Sequence, residues 1–238
     1  MSSSHTLAMP NGERIPYQLE RRARRTIGMK ITASGLVVHA PQRLAQSHLE
    51  QLLISKARWI TSKLQSRQQD VTPALQWHDG AQLMLLGQPL TLEVIASSRN
   101  SRPQYEYGVL TVAVTNIHDE AAIARKVLHW YQKEALADFA KRLQILAAKL
   151  GEPLPPLFLS NAKTRWGSCN SRREIRLNWR LIQANPSIIN YVTAHELAHL
   201  REMNHSARFW ATVAKIYPDY RQAELALKAC SSQLYRMG

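Results

Sequence analysis

The sequence predicts an α+β fold, with a strand-rich part carrying one helix over residues 1–118 and a helical part over residues 119–238, either as two domains or as one continuous domain. Three observations point there. Short runs up to residue 115 alternate apolar and polar residues between turn signals. From Asp119 the spacing changes to the helical period and keeps it to Leu150. A hydrophobic fraction of 45% in 238 residues is enough to bury a sizeable core.

Arg14 to Ala40 alternates around turn signals at Gly28 and Ser34-Gly35, which predicts a small antiparallel set of strands. Ser47 to Leu64 places Leu49, Leu52, Leu53, Ile60 and Leu64 at helical spacing, with Ser47 as a cap and Glu50 completing a capping box. The polar stretch from Gln65 to Pro73 reads as a linker. Leu83 to Leu86, Leu90 to Ile95 and Val109 to Thr115 read as strands. The helix from Asp119 sets Ile123, Val127, Trp130, Tyr131, Leu136, Phe139, Leu143 and Leu146 on or near one face, and Gly151 stops it. Leu157 to Leu159 and Glu174 to Trp179 are strand-like. A helix begins near Pro186 and its pattern runs to Met203, and Pro218 opens a last helix to about Tyr235. No internal repeat is visible.

Composition excludes several classes. The longest apolar runs fall far short of the roughly 20 residues that a membrane helix needs, and the first eleven residues do not resemble a secretory signal. Cys169 and Cys230 are the two cysteines, without the pairing or density of a disulfide scaffold, so a reducing, cytoplasmic location is expected. A formal charge of +14 is concentrated at the two ends: residues 1–70 hold 11 basic and 4 acidic side chains, and residues 159–238 hold 12 and 5. Such a field attracts anionic peptides, nucleotides or nucleic acid without choosing among them. Arg21, Arg22, Arg24 and Arg25 form either a phosphate-binding strand or a solvated charged face.

His195-Glu196-Leu197-Ala198-His199 is an HExxH sequence inside a helical pattern, and random order would give about 0.02 such matches in this composition. Residues four apart share a helix face, so both imidazoles reach one ion. Glu196, one position along, can touch the reacting water without ligating the metal. Zn2+ is the expected ion, since neutral imidazole suits it and a catalytic site needs three protein ligands and one open position. His205 is a candidate third ligand if the chain turns back after Asn204; Asp219 and Glu224 are the competitors.

The stretch Thr164-Arg165-Trp166-Gly167-Ser168-Cys169, the run Ile175 to Ile182, Tyr191-Val192, His195 to Leu200, Asn204-His205-Ser206 and Phe209-Trp210 resemble the YgjP-like metal-dependent hydrolases, zincin-like relatives of SprT-type and WLM metallopeptidases. Looser matches lie in Arg21 to Gly28, Ala40-Pro41 and Leu85-Leu86-Gly87. The resemblance implies a zincin-like catalytic region with His195, His199 and His205 as ligands. It implies a peptidase or a nucleoside triphosphate pyrophosphohydrolase at the same metal site. The histidine spacing also matches metzincins, but Glu202 stands where their turn glycine would lie and no Met-turn follows.

In the hydrolase reading Glu196 is the base, and Arg165 either orients an anionic group or ties its loop down. Asn178 and Tyr191 are candidate hydrogen-bond donors to the substrate. Arg172 and Arg173, with Arg165, would form the side on which an anion approaches. Cys169 reads better as a small thiol than as a nucleophile, and Trp166, Trp179 and Trp210 as core. The competing class is a nucleic-acid-associated binding module with a structural metal, which has no use for a carboxylate at position 196.

Overall fold

The computed structural model describes residues 2–9, 12–32, 34–69, 75–99 and 101–237. It forms two units, Met1–Thr72 and Pro73–Gly238. The boundary expected after residue 118 falls inside the second unit, because the strands before it and the helix after it share one core.

In the first unit β1 (Ser2–Ala8), β2 (Arg14–Arg22), β3 (Gly28–Thr32) and β4 (Gly35–Pro41) make a sheet in the order β1-β2-β4-β3. The period-two pattern turns Ile15, Tyr17 and Leu19 of β2 inward. An all-antiparallel set was expected, yet β2 and β4 run parallel between two antiparallel pairs. Strand β1 gives little sequence signal because its first residues are polar; Leu7, and Met9 just beyond it, are buried.

Helices α1 (Gln46–Ser55) and α2 (Ala57–Gln69) bring Leu49, Leu53 and Ile60 to the same core. The single helix expected from Ser47 to Leu64 is thus broken at Lys56. Its cap is Ala45 rather than Ser47, and Glu50 accepts from Gln46 Nε2 at 2.8 Å. The stretch expected as a linker is helical to Gln69, and residues 70–73 lie outside the described residues. Arg21 donates to the carbonyl oxygens of Pro41 and Leu44, and Arg22 pairs with Glu20. Both are therefore tied into their own unit.

The second unit opens with β5 (Gln82–Leu85), β6 (Gln88–Ala96), β7 (Gln104–Glu106) and β8 (Val109–Val114), ordered β5-β6-β8-β7. Its central pair is again parallel and its outer pairs antiparallel. The topology of the two sheets repeats although the sequence does not. Strand order depends on the placement of turns and on alternation, which unrelated side chains satisfy equally well.

Helix α3 (Glu120–Leu150) starts where Asp119 accepts from the Ala122 amide at 2.9 Å, and ends at Gly151 with φ of 75°. Its buried side chains join β5, β6 and β8 in one cluster; Leu136, expected among them, is 44% exposed. The β5–β6 turn needs Gly87, whose φ is 79°, and a Cβ there would stand 3.0 Å from Asn185 Cα. Asn185 is the cap of the next long helix, accepting from the Ser187 amide, so the hairpin abuts the start of that helix.

A third sheet, in the order β10-β11-β9, contains β9 (Leu157–Ser160), β10 (Gly167–Cys169) and β11 (Ile175–Asn178). After a 3-10 turn, Trp179–Gln183, come α4 (Pro186–Ala198), α5 (Ala207–Ile216) and α6 (Tyr220–Leu234). Arg142 of α3 holds α4 through Asn190 Oδ1 at 2.8 Å. The pattern expected to stay helical to Met203 stops at Ala198, because the Leu200 and Arg201 amides turn back only three residues, to the Leu197 and Ala198 carbonyls, and tighten the chain out of the α-helical period. Among the described residues no helix is long and apolar enough to cross a membrane.

Candidate metal centre

The early end of α4 creates the site. His195 sits in its last turn, His199 is its C-cap, and the tight reversal after it returns His205 just before the Ser206 cap of α5. The ligating atoms of the three histidines lie within 4.8 Å of one another, and His195 Nε2 is 3.1 Å from His205 Nε2. Two ligands held tetrahedrally at zinc distances would be about 3.3 Å apart.

His199 Nδ1 lies 3.0 Å from the Glu202 carbonyl, which leaves Nε2 with the free lone pair. Burial pushes His195 down to about 4 and also lowers His199, so both rings are neutral at physiological pH, as a metal requires. His195 Nδ1 is buried without a partner among the described residues, and its ring is instead packed edge-on by Tyr191, Phe209 and Trp210. These residues fit a three-histidine metal site. The competing acids are not in this cluster: Asp219 precedes α6, and Glu224 pairs with Lys228 at 2.7 Å.

Glu196 is 5% exposed, and burial raises its carboxyl to about 8 against an opposing pull from Arg165. Strand β10 runs directly over it. A Cβ on Gly167 would lie 2.5 Å from Glu196 Oε1 and 2.7 Å from Cδ, so only glycine lets backbone and carboxylate meet there. A cleft of about 240 Å³ opens beside them, lined by Arg165, Trp166, Tyr191, His195 and Leu227 among others. Arg165 is exposed at this cleft, and burial raises Tyr191 well above the usual phenol range.

The other expected contacts resolve differently. Asn178 is fully buried: its Nδ2 donates to the Ala162 and Arg165 carbonyls, and its Oδ1 accepts from Arg180 N. It ties the Arg165 loop to β11 instead of facing the cleft. Arg172 is exposed beside Glu174 at 3.7 Å and does not line the cleft, while Arg173 bonds Glu152 and the Leu200 carbonyl. Of the three tryptophans expected in the core, only Trp179 is fully buried. Trp166 lines the cleft, stacked on Tyr235 at 4.4 Å and bonded to Ser231 Oγ; Trp210 lies against the histidines.

These shifts set a pH dependence for the metal-free protein. The folded Glu196 keeps a proton that the unfolded chain releases above about 4.5, so stability is lost as pH rises from there through 8. His195 acts oppositely, contributing stability above 6.5 that is lost as pH falls toward 4. The two nearly cancel between 4.5 and 6.5, and above 6.5 Glu196 acts alone. We expect the metal-free protein to lose about 2 kcal/mol between pH 6.5 and 8, at 1.36 kcal/mol per unit, and Glu196→Gln to flatten that slope. Denaturant melts at both pH values check it; an unchanged slope in the variant would remove Glu196 as its source.

A family model described as the YgjP-like metallopeptidase domain matches residues 25–230. Among solved structures, the metallopeptidase zymogen of Pyrococcus abyssi abylysin is 24% identical, covering 41% of this chain and 96% of that one with a TM-score of 0.37. The zymogen of Methanocaldococcus jannaschii jannalysin is 17% identical, with coverages of 40% and 96% and a TM-score of 0.35. No curated protein matches. With its family match running from residue 25 to residue 230, the chain belongs to the YgjP-like metallopeptidase family and is a metal-dependent hydrolase.

Proposed function

We propose that the protein is a zinc-dependent peptidase in which His195, His199 and His205 hold the metal and Glu196 is the general base. The observation that carries this reading is the buried Glu196 carboxylate, beside three converging imidazoles and beneath the Gly167 backbone of an edge strand. Zinc, when bound, supplies Lewis acidity and lowers the pKa of water at the site. Its charge also opposes the burial that keeps Glu196 protonated in the metal-free protein. Glu196 then accepts the proton of the attacking water and returns it to the leaving amine.

Peptide is favoured over nucleotide by two features. Asn178 N bonds the Trp166 carbonyl and Asn170 N bonds the Glu174 carbonyl, so by antiparallel alternation the N–H and C=O groups of Gly167 and Cys169 point out of the open edge of β10. An extended chain can add there as a strand. Among the described residues Arg165 is the one cation lining the cleft, few for a triphosphate but sufficient to orient one carbonyl or carboxylate. Tyr191 lines the same cleft, which supports its reading as a donor to the substrate. Free cysteines suit a reducing compartment such as the cytoplasm.

Removing one ligand tests the metal assignment. His205→Ala should weaken zinc binding by more than about tenfold, with Asp219→Ala and Glu224→Ala unchanged. Metal analysis after dialysis against a weak chelator reads this, and retained zinc in the His205 variant would overturn the ligand set. Screening the zinc-loaded enzyme against peptides and nucleoside triphosphates decides the substrate: triphosphate hydrolysis without peptide cleavage would replace this reading.

A further inference from the structure

We propose that the groove between α5 and α6, lined by Trp210, Tyr220, Arg221, Glu224 and Leu225, is a subsite for one bulky uncharged apolar side chain of the peptide substrate, aromatic or branched aliphatic. The assignment rests on the peptidase reading and adds a specificity to it.

Position is the first argument. The Trp210 ring lies 5.8 Å from His195 and 6.0 Å from His205, so the groove begins where the imidazoles end. Tyr191, which lines the cleft beside Glu196, and Trp210, which lines the groove, pack edge-on against the same His195 ring. A chain lying in the cleft therefore has this groove at its flank. Its volume, about 470 Å³, falls within the span of small-ligand clefts, roughly 300 to 1,000 Å³.

Chemistry is the second. Tyr220 stacks on Trp210 with centroids 5.4 Å apart, and Arg221 Nε bonds the Tyr220 hydroxyl at 3.2 Å. Glu224 is held by Lys228 at 2.7 Å. Glu224 is already paired and the Arg221 guanidinium lies 5.8 Å from the Tyr220 ring centroid, so a charged occupant would leave water for a wall that is mostly ring and aliphatic surface. What is left for an incoming group is ring surface and Leu225, which is 66% exposed. Covering that surface favours an apolar occupant. The net charge of the protein would by itself draw acidic substrates, so a preference for apolar residues here is a discriminating expectation.

The test varies one residue of a peptide among Phe, Leu, Ala, Lys and Asp at each position around the scissile bond, with products mapped by mass spectrometry. At one position Phe and Leu should exceed Ala in kcat/KM by about tenfold or more, and Asp and Lys should fall below Ala. Leu225→Asp should remove most of that ratio, while Leu154→Asp, the same change at a leucine 58% exposed elsewhere, should keep it. In parallel, zinc-loaded Glu196→Gln should bind the Phe peptide more tightly than the Ala peptide, and the added Leu225→Asp change should erase the difference. Cleavage without apolar preference, or a preference that survives Leu225→Asp, overturns the subsite and leaves the peptidase reading standing. If no peptide is cut, the peptidase reading falls and the binding arm decides alone: equal binding of the Phe and Ala peptides overturns the subsite, and a Leu225-dependent difference upholds it as an apolar ligand site.

Discussion

Replacing Glu196 by Gln should lower peptide turnover by about 10² to 10⁴ while zinc content and fold persist, the span expected when a positioned general base is lost. The carboxyl group is buried, and among the described residues Arg165 is the charge that opposes the effect of that burial. Keeping such a group is costly unless it works. Glutamine has nearly the same shape, so the packing against β10 survives the change and the loss can be assigned to proton transfer. In the metal-free state the variant should be the more stable protein above pH 6.5, where wild type must keep its proton or bury a charge. Steady-state kinetics with metal-replete protein read the first effect. Comparable turnover in both would remove Glu196 from the mechanism, whatever its effect on stability.

The α+β class, the long helix and the histidine pair were legible because they follow from local periodicities. His195 and His199 share a face by spacing alone, and Asp119 and Gly151 mark their helix ends by their own chemistry. His205 is favoured over Asp219 and Glu224 by its place just past Asn204 beside the HExxH pair, and by the family resemblance. The return of His205 depends on the Leu200 and Arg201 amides folding back onto the Leu197 and Ala198 carbonyls, a turn with no spacing signature. Asn178 is a candidate substrate donor by residue type alone, and its burial against the Ala162 and Arg165 carbonyls is a tertiary fact that residue type does not reveal. Trp210 was read as core for the converse reason, since an apolar residue at helical spacing does not reveal that its outer neighbours, Tyr220 and Leu225, leave a groove open. The parallel pairing of β2 with β4 was equally hidden, because alternation gives the face of a strand and not its direction.

Gly167→Ala should cost about as much activity as losing Glu196 itself, roughly 10² to 10⁴, together with about 1 to 3 kcal/mol of stability from overpacking. The new Cβ would lie 2.5 Å from Oε1, 2.6 Å from Cγ and 2.7 Å from Cδ of Glu196, too close for all three to be accommodated without movement. The strand has little freedom to retreat: β10 is paired to β11 from Gly167 to Cys169, and Trp166 before it is held by Ser231, Tyr235 and the Asn178 amide. Glu196 must therefore swing away, and the base leaves its place beside the histidines. The three atoms nearest the new Cβ all belong to Glu196 and none to a metal ligand, so zinc should remain. A double-mutant cycle separates this from general damage, because in a Glu196→Ala background the clash has lost its partner and Gly167→Ala should cost less than about 0.5 kcal/mol of stability. Equal destabilisation in both backgrounds would mean that the methyl group disturbs β10 itself, and undiminished turnover in the single variant would mean that the strand yields and the carboxylate does not.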